Sequence, residues 1–129
     1  MSDKKKIVRC GLIQCSNPIN DESRPVAEIQ KAMVDKHLAF VEQAGKQGVQ
    51  ILCLQEIFNG PYFCPSQDPR WYEAAESVPG PTTELIAKAA AKFNMAVIVP
   101  VYEREMSGVF YNTAAVYDAD GTALLGEGE

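Results

Sequence analysis

Apolar residues along this chain fall into short runs divided by polar, Gly-containing or Pro-containing stretches. Residues 7–14 (IVRCGLIQ) form the first run, closed by Ser16, Asn17 and Pro18, and read as a buried strand. Residues 26–45 place Val26, Ile29, Met33, Phe40 and Ala44 on one face at helical spacing, with Gly45 and Gly48 near the end. A second apolar run at 49–54 (VQILCL) then predicts a strand. Strand, helix and strand within about fifty residues are the pattern of a parallel crossover, so the expected class is α/β. Residues 59–69 are rich in Gly, Pro and aromatic side chains and are expected to form a functional loop. Thr82 or Thr83 is placed to cap a helix over 84–93, with Pro81 ahead of it and Asn94 ending it. The runs 96–102 and 109–117 predict an antiparallel hairpin turning at Ser107 and Gly108. A further turn at 118–121 (DADG) leads to a short strand at 123–125.

Composition narrows the classes. With 129 residues, 47% of them hydrophobic, the chain has enough apolar material for one domain core. Its net charge of −5 offers nothing to neutralise a phosphate backbone or an anionic lipid surface, so neither nucleic acid nor membrane is an expected partner. No apolar run is long enough to span a bilayer, and residues 1–6 form a charged tail without the apolar stretch of a signal peptide. The expectation is a cytoplasmic protein with reduced thiols. Cys10, Cys15, Cys53 and Cys64 are too sparse for a disulfide framework and match no zinc spacing. Each is expected to be a small core or loop residue.

Glu56 is the most informative position. It directly follows ILCLQ, which puts a carboxylate at the carboxyl end of a predicted parallel strand, where α/β sheets bind ligands. A carboxylate partly withdrawn from water there is suited to take and return protons. Read without its neighbours, the same residue is an ordinary strand-end charge.

The neighbours carry more. Gln55-Glu56-Ile57-Phe58-Asn59-Gly60-Pro61-Tyr62-Phe63, preceded by the strand ending at Leu54, resembles the first catalytic motif of the nitrilase superfamily of carbon–nitrogen hydrolases. The similarity is greatest to its branch of β-ureidopropionase and related N-carbamoyl-amine amidohydrolases. It extends through Gly11-Leu12-Ile13-Gln14, Pro79-Gly80-Pro81-Thr82-Thr83, Val99-Pro100-Val101-Tyr102-Glu103, Tyr111-Asn112-Thr113-Ala114 and Asp118-Ala119-Asp120-Gly121. This resemblance implies the N-terminal part of a four-layer α-β-β-α sandwich and a Cys-Glu-Lys site acting on non-peptide C–N bonds. Glu56 matches the glutamate and Tyr62 resembles the family's pocket tyrosine, expected to contact substrate; Phe63 beside it is expected to add an apolar wall, with loop anchors as the other reading of both. It further implies a small ureido or amide substrate such as N-carbamoyl-β-alanine, no metal or organic cofactor, and a homo-oligomer when full length.

The resemblance also implies a lysine in a basic stretch after a Leu-Gly pair, and a cysteine farther on. Leu125-Gly126 is present but Glu127, Gly128 and Glu129 follow, so residues 7–129 are expected to be an incomplete N-terminal half of the domain. None of the four cysteines falls where the nucleophile is expected. With one member of a three-residue site, the chain is expected to show little activity alone. An inactive module pairing with an intact homologue, or an amidase, nitrilase or acyltransferase of the same superfamily, are the other readings. His37 falls on the apolar stripe of the first helix and is expected to be a packing residue. Asn112 is expected to fix the hairpin, with a hydrogen bond near the glutamate as its other reading. Glu103, Arg104 and Glu105 are expected to be a solvated charged turn.

Overall fold

The computed structural model describes residues 6–124. Four strands form one sheet in the order β1 (Cys10–Leu12), β2 (Ile51–Cys53), β3 (Ala96–Met106), β4 (Val109–Tyr117). The first three are parallel, as the crossover pattern requires, and β4 returns antiparallel to β3. Two helices, α1 (Val26–Lys46) and α2 (Pro81–Ala91), cover one face of the sheet, and a 3-10 helix spans Pro69–Ala74. The expected class is therefore met.

Helix α1 forms because its stripe of Val26, Ile29, Met33, Val34, His37 and Val41 has a core to enter, while charged residues alternate on the outer side. There Lys31 and Asp35, at 2.5 Å, and Glu42 and Lys46, at 2.9 Å, pair one turn apart. Such exposed pairs add little, so burial of the stripe decides the helix. Gly45 lets α2's end approach, since a Cβ there would sit 2.2 Å from the Phe93 ring.

The start of α2 corrects the expected cap. Gly80 is the N-cap and Pro81 the first helical residue, so both threonines lie inside the first turn. Thr83 is buried and its hydroxyl oxygen accepts from the Gly80 N–H at 3.0 Å. The free N–H of Thr82 instead finds the Glu76 carboxylate at 3.1 Å, an anion placed at the positive end of the helix. The helix closes at Ala91, and Asn94 lies beyond it with φ 51.

The side of the sheet facing the helices is packed. Leu52, Leu54, Val97, Val99, Val101, Ala115 and Tyr117 form one cluster with Ile86, Ala87 and Ala90 of α2 and with Val34 and Val41 of α1. The opposite side carries Leu12, Cys53, Ile98 and Val116 in register across all four strands. Here β1 departs from the expected buried strand: Leu12 is 85% exposed, and Ile7, Val8 and Cys10 are also exposed. β1 and β2 pair over only three residues, which is why both are shorter than their apolar runs. β3 is longer than its run because β4 continues to pair with it as far as Met106. The charged residues Glu103, Arg104 and Glu105 consequently lie on a strand, and Glu103 accepts a hydrogen bond from Thr113. The DADG turn closes through Gly121 at φ 87, and Ala123 makes one bridge to Tyr117. Leu125 and the residues after it lie outside the described residues, as does most of the charged tail 1–6.

Candidate active site

The segment that follows β2 builds the site. Leu54 is buried and its N–H donates to the Ile98 carbonyl, and Phe58, fully buried, donates to the Pro100 carbonyl. Both anchors lie along β3, so the intervening Gln55-Glu56-Ile57 must turn between them. Ile57 takes φ 44, a left-handed conformation costly for a β-branched residue, with its side chain buried. The turn is held from below: Phe58 meets the ring of buried His37 edge-on at 4.8 Å, and the Gln55 side-chain oxygen accepts from the Cys15 N–H at 2.7 Å. His37 is thus a packing residue, its Nδ1 at 2.9 Å from the Met33 carbonyl oxygen and its Nε2 at 3.8 Å from the Cys15 sulfur. Burial pushes its protonation below the ordinary histidine range.

With Phe58 inside, Glu56 is left on the outer side of the turn. It is exposed in this chain, so the withdrawal from water expected of it is not supplied by the described residues. Its carboxylate is nonetheless held. The Asn112 amide donates to Oε1 at 2.6 Å, reaching across from β4. Asn112 stands opposite Tyr102 in the register, on the sheet side away from the helices. Its side chain is spent on the glutamate rather than on the hairpin it was expected to fix.

Tyr62 is close by. It is 61% exposed, and its hydroxyl is held above the usual tyrosine range first by a hydrogen bond to Cys64, then by negative charge at Cys64 and at Glu56. Phe63 behaves differently. It is half-buried, stacked on Trp71 at 5.7 Å and tilted against Tyr102 at 5.0 Å. Tyr102 stacks in turn on Phe110, and Phe110 on Tyr72. This run of five rings anchors the loop to the 3-10 helix and the hairpin, and was not foreseen. The signal for it was Asp68-Pro69: Asp68 accepts from the Arg70 N–H at 3.0 Å and starts a short helix that delivers Trp71 and Tyr72. Arg70 secures that helix by donating to the carbonyls of Glu22 and Arg24.

Phe63, Cys64, Asp68, Trp71, Tyr72 and Tyr102 line a cleft of about 270 Å³. Neither Glu56 nor Tyr62 lines it. Cys64 is exposed at the rim, Cys10 is exposed on β1, and Cys15 and Cys53 are half-buried, so none occupies the core proper. Among the described residues no group of His, Cys, Asp and Glu is arranged to hold a metal. No helix among them is long and apolar enough to cross a membrane. The arrangement can hold a carboxylate in a fixed orientation on an open sheet face, where it can exchange protons with groups brought up to it.

Known proteins give the class. The family described as carbon-nitrogen hydrolase matches residues 9–128, and the chain belongs to that family. It is 34% identical over 121 residues to the β-ureidopropionase of Arabidopsis thaliana, an alignment covering 92% of this chain and 29% of that protein. Over 101 residues it is 35% identical to an omega-amidase of Xenopus laevis, covering 78% of this chain and 35% of that one. Identity to the N-carbamoylputrescine amidase of Solanum lycopersicum is 32% over 127 residues, covering 96% and 38%. A carbon-nitrogen hydrolase from Helicobacter pylori superposes with a TM-score of 0.73 at 22% identity, over 90% of this chain and 37% of that one. That likeness establishes the nitrilase fold. The chain spans about a third of the length of the curated relatives it matches.

Proposed function

We propose that this chain supplies the general base of a hydrolase of N-carbamoyl amines, with N-carbamoyl-β-alanine as a representative substrate. Glu56 is that base. It takes the proton of a cysteine thiol as the sulfur attacks the ureido carbon, returns it to the departing nitrogen, and then activates the water that cleaves the thioester. A lysine stabilises the oxyanion. The cysteine and lysine come from outside residues 6–124. With one water consumed, the products are the amine, ammonia and carbon dioxide. Tyr62 contacts the substrate, and Phe63 forms an apolar wall behind it.

The observation that carries this reading is the placement of Glu56: a carboxylate following a parallel strand, exposed on the open face and oriented by Asn112. Relatives named β-ureidopropionase and N-carbamoylputrescine amidase support the N-carbamoyl class, and an omega-amidase of similar identity makes amides the competing substrates. The full-length protein is cytoplasmic and homo-oligomeric on this reading. A second reading, a noncatalytic module that pairs with an intact homologue, is favoured only by the exposed Leu12 on the open side of the sheet.

The test uses the full-length reading frame that contains these residues, with ammonia release as the readout and ureido acids, ureido amines, amides and nitriles as substrates. Ureido compounds are expected to give the highest kcat/KM, and Glu56→Gln to lower kcat by about 10²- to 10⁴-fold with the fold intact. Undiminished turnover in Glu56→Gln would remove Glu56 from the chemistry. Turnover by the 129 residues alone would show that the other catalytic groups lie within them.

A further inference from the structure

We infer that Asn112 is a positioning residue for the Glu56 carboxylate, fixing Oε1 so that Oε2 is the oxygen presented to the reacting groups. The inference rests on Glu56 being the base. Glu56 rides on an irregular turn after a three-residue strand, and nothing in that turn hydrogen-bonds its carboxylate among the described residues. Phe58 fixes the backbone beneath it but leaves the side-chain torsions free. Asn112 removes that freedom. It belongs to the nine-residue strand β4, which pairs along its length with β3, the same strand that anchors Leu54 and Phe58. Base and positioner are therefore referenced to one rigid element. A carboxylate displaced by about an ångström from its productive place loses much of its value.

The chemical character of the partner matters as much as its position. An arginine or lysine at 2.6 Å would also hold the carboxylate, but its charge would favour the ionised form and weaken the group as a proton acceptor. A neutral amide orients the oxygen at a smaller cost in basicity. Asparagine further has a fixed polarity here: only its Nδ2 can donate to a carboxylate oxygen, so the bond specifies which way the amide faces. The nearest cation on the paired strand, Arg104, sits two residues beyond Tyr102 and lies exposed at the far end of the hairpin.

The experiment measures kcat, KM and the pH dependence of kcat for Asn112→Ala and Asn112→Asp in the full-length enzyme, with thermal melting as a check on folding. Asn112→Ala is expected to lower kcat by roughly 10- to 100-fold with KM little changed. Asn112→Asp keeps the side-chain volume but places a second carboxyl against the first, so the acid limb of the kcat profile moves to higher pH by about one unit or more. A merely structural asparagine would move neither the limb nor kcat at constant melting temperature. Wild-type kcat in Asn112→Ala, or an unmoved acid limb in Asn112→Asp, overturns the inference. Should Asn112→Ala fail to fold, the Asn112→Asp profile decides alone. If Glu56→Gln is itself active, the failure belongs to the assignment of the base and not to the positioning.

Discussion

The two faces of the sheet are built from alternate residues of the same four strands, yet they are finished to different degrees. On the helix side Leu52, Val97, Val99 and Val101 are sealed by α1 and α2. On the other side Leu12 is exposed, Ile98 and Val116 are half-covered, and Glu56 and Asn112 meet beyond them. The contrast separates stability from chemistry. The sealed face holds the strands in register, and the open face uses that register to place a carboxylate where other groups can approach it. Strand alternation makes this division possible, because neighbouring residues serve opposite sides.

Paired substitutions test the division most directly. Leu52→Ala, at 1% exposure, is expected to cost this chain about 2 to 5 kcal/mol in urea unfolding, because it empties a site that α2 and β3 cannot collapse to fill. A cost below about 1 kcal/mol would mean that the sealed face is not the stabilising one. A middle-sized effect is expected from His37, which lies under the Glu56 turn on the sealed side. Its folded protonation lies below the ordinary value of 6.5, so the unfolded chain binds the extra proton. The stability it contributes is present above about pH 6.5 and is lost as pH falls toward its folded value, by at most about 1.4 kcal/mol per pH unit. Urea midpoints at pH 7.5, 6.5 and 5.5 should show that fall, and a His37→Leu variant that keeps the full slope would assign it elsewhere. The smallest effect belongs to Leu12→Ala, expected within about 0.5 kcal/mol in this chain. In the full-length frame the same change should cost as much as Leu52→Ala, and a small cost there would mean that no second layer covers this face.

Much of the architecture follows from residue patterns, and the exceptions have a common origin. The stripe of α1 and the alternation of β4 locate those elements closely, because each reports the side that is buried. Strand ends were less legible. β1 and β2 stop when their three-residue pairing stops, and β3 continues because β4 does, so the partner and not the run sets the length. The start of α2 shifted for a similar reason: the carboxylate that serves it comes from Glu76, outside the helix, and no local pattern of threonines announces that. The place of Phe63 beside Tyr62 suggests a pocket wall, but the rings of Trp71 and Tyr102 make it a loop anchor as well. Those partners are remote in sequence.

The chain's own residues determined its family, its α/β class and the identity of Glu56 as the group to watch, since each depends on local order and spacing. Tertiary structure alone decided that Asn112 meets Glu56, 56 residues away, and that this carboxylate stands exposed on the open face. The physical reason is that a hydrogen bond between side chains needs two backbones brought within reach. Here the β3–β4 register and the buried Phe58 turn do that, and neither distance can be written in a linear pattern.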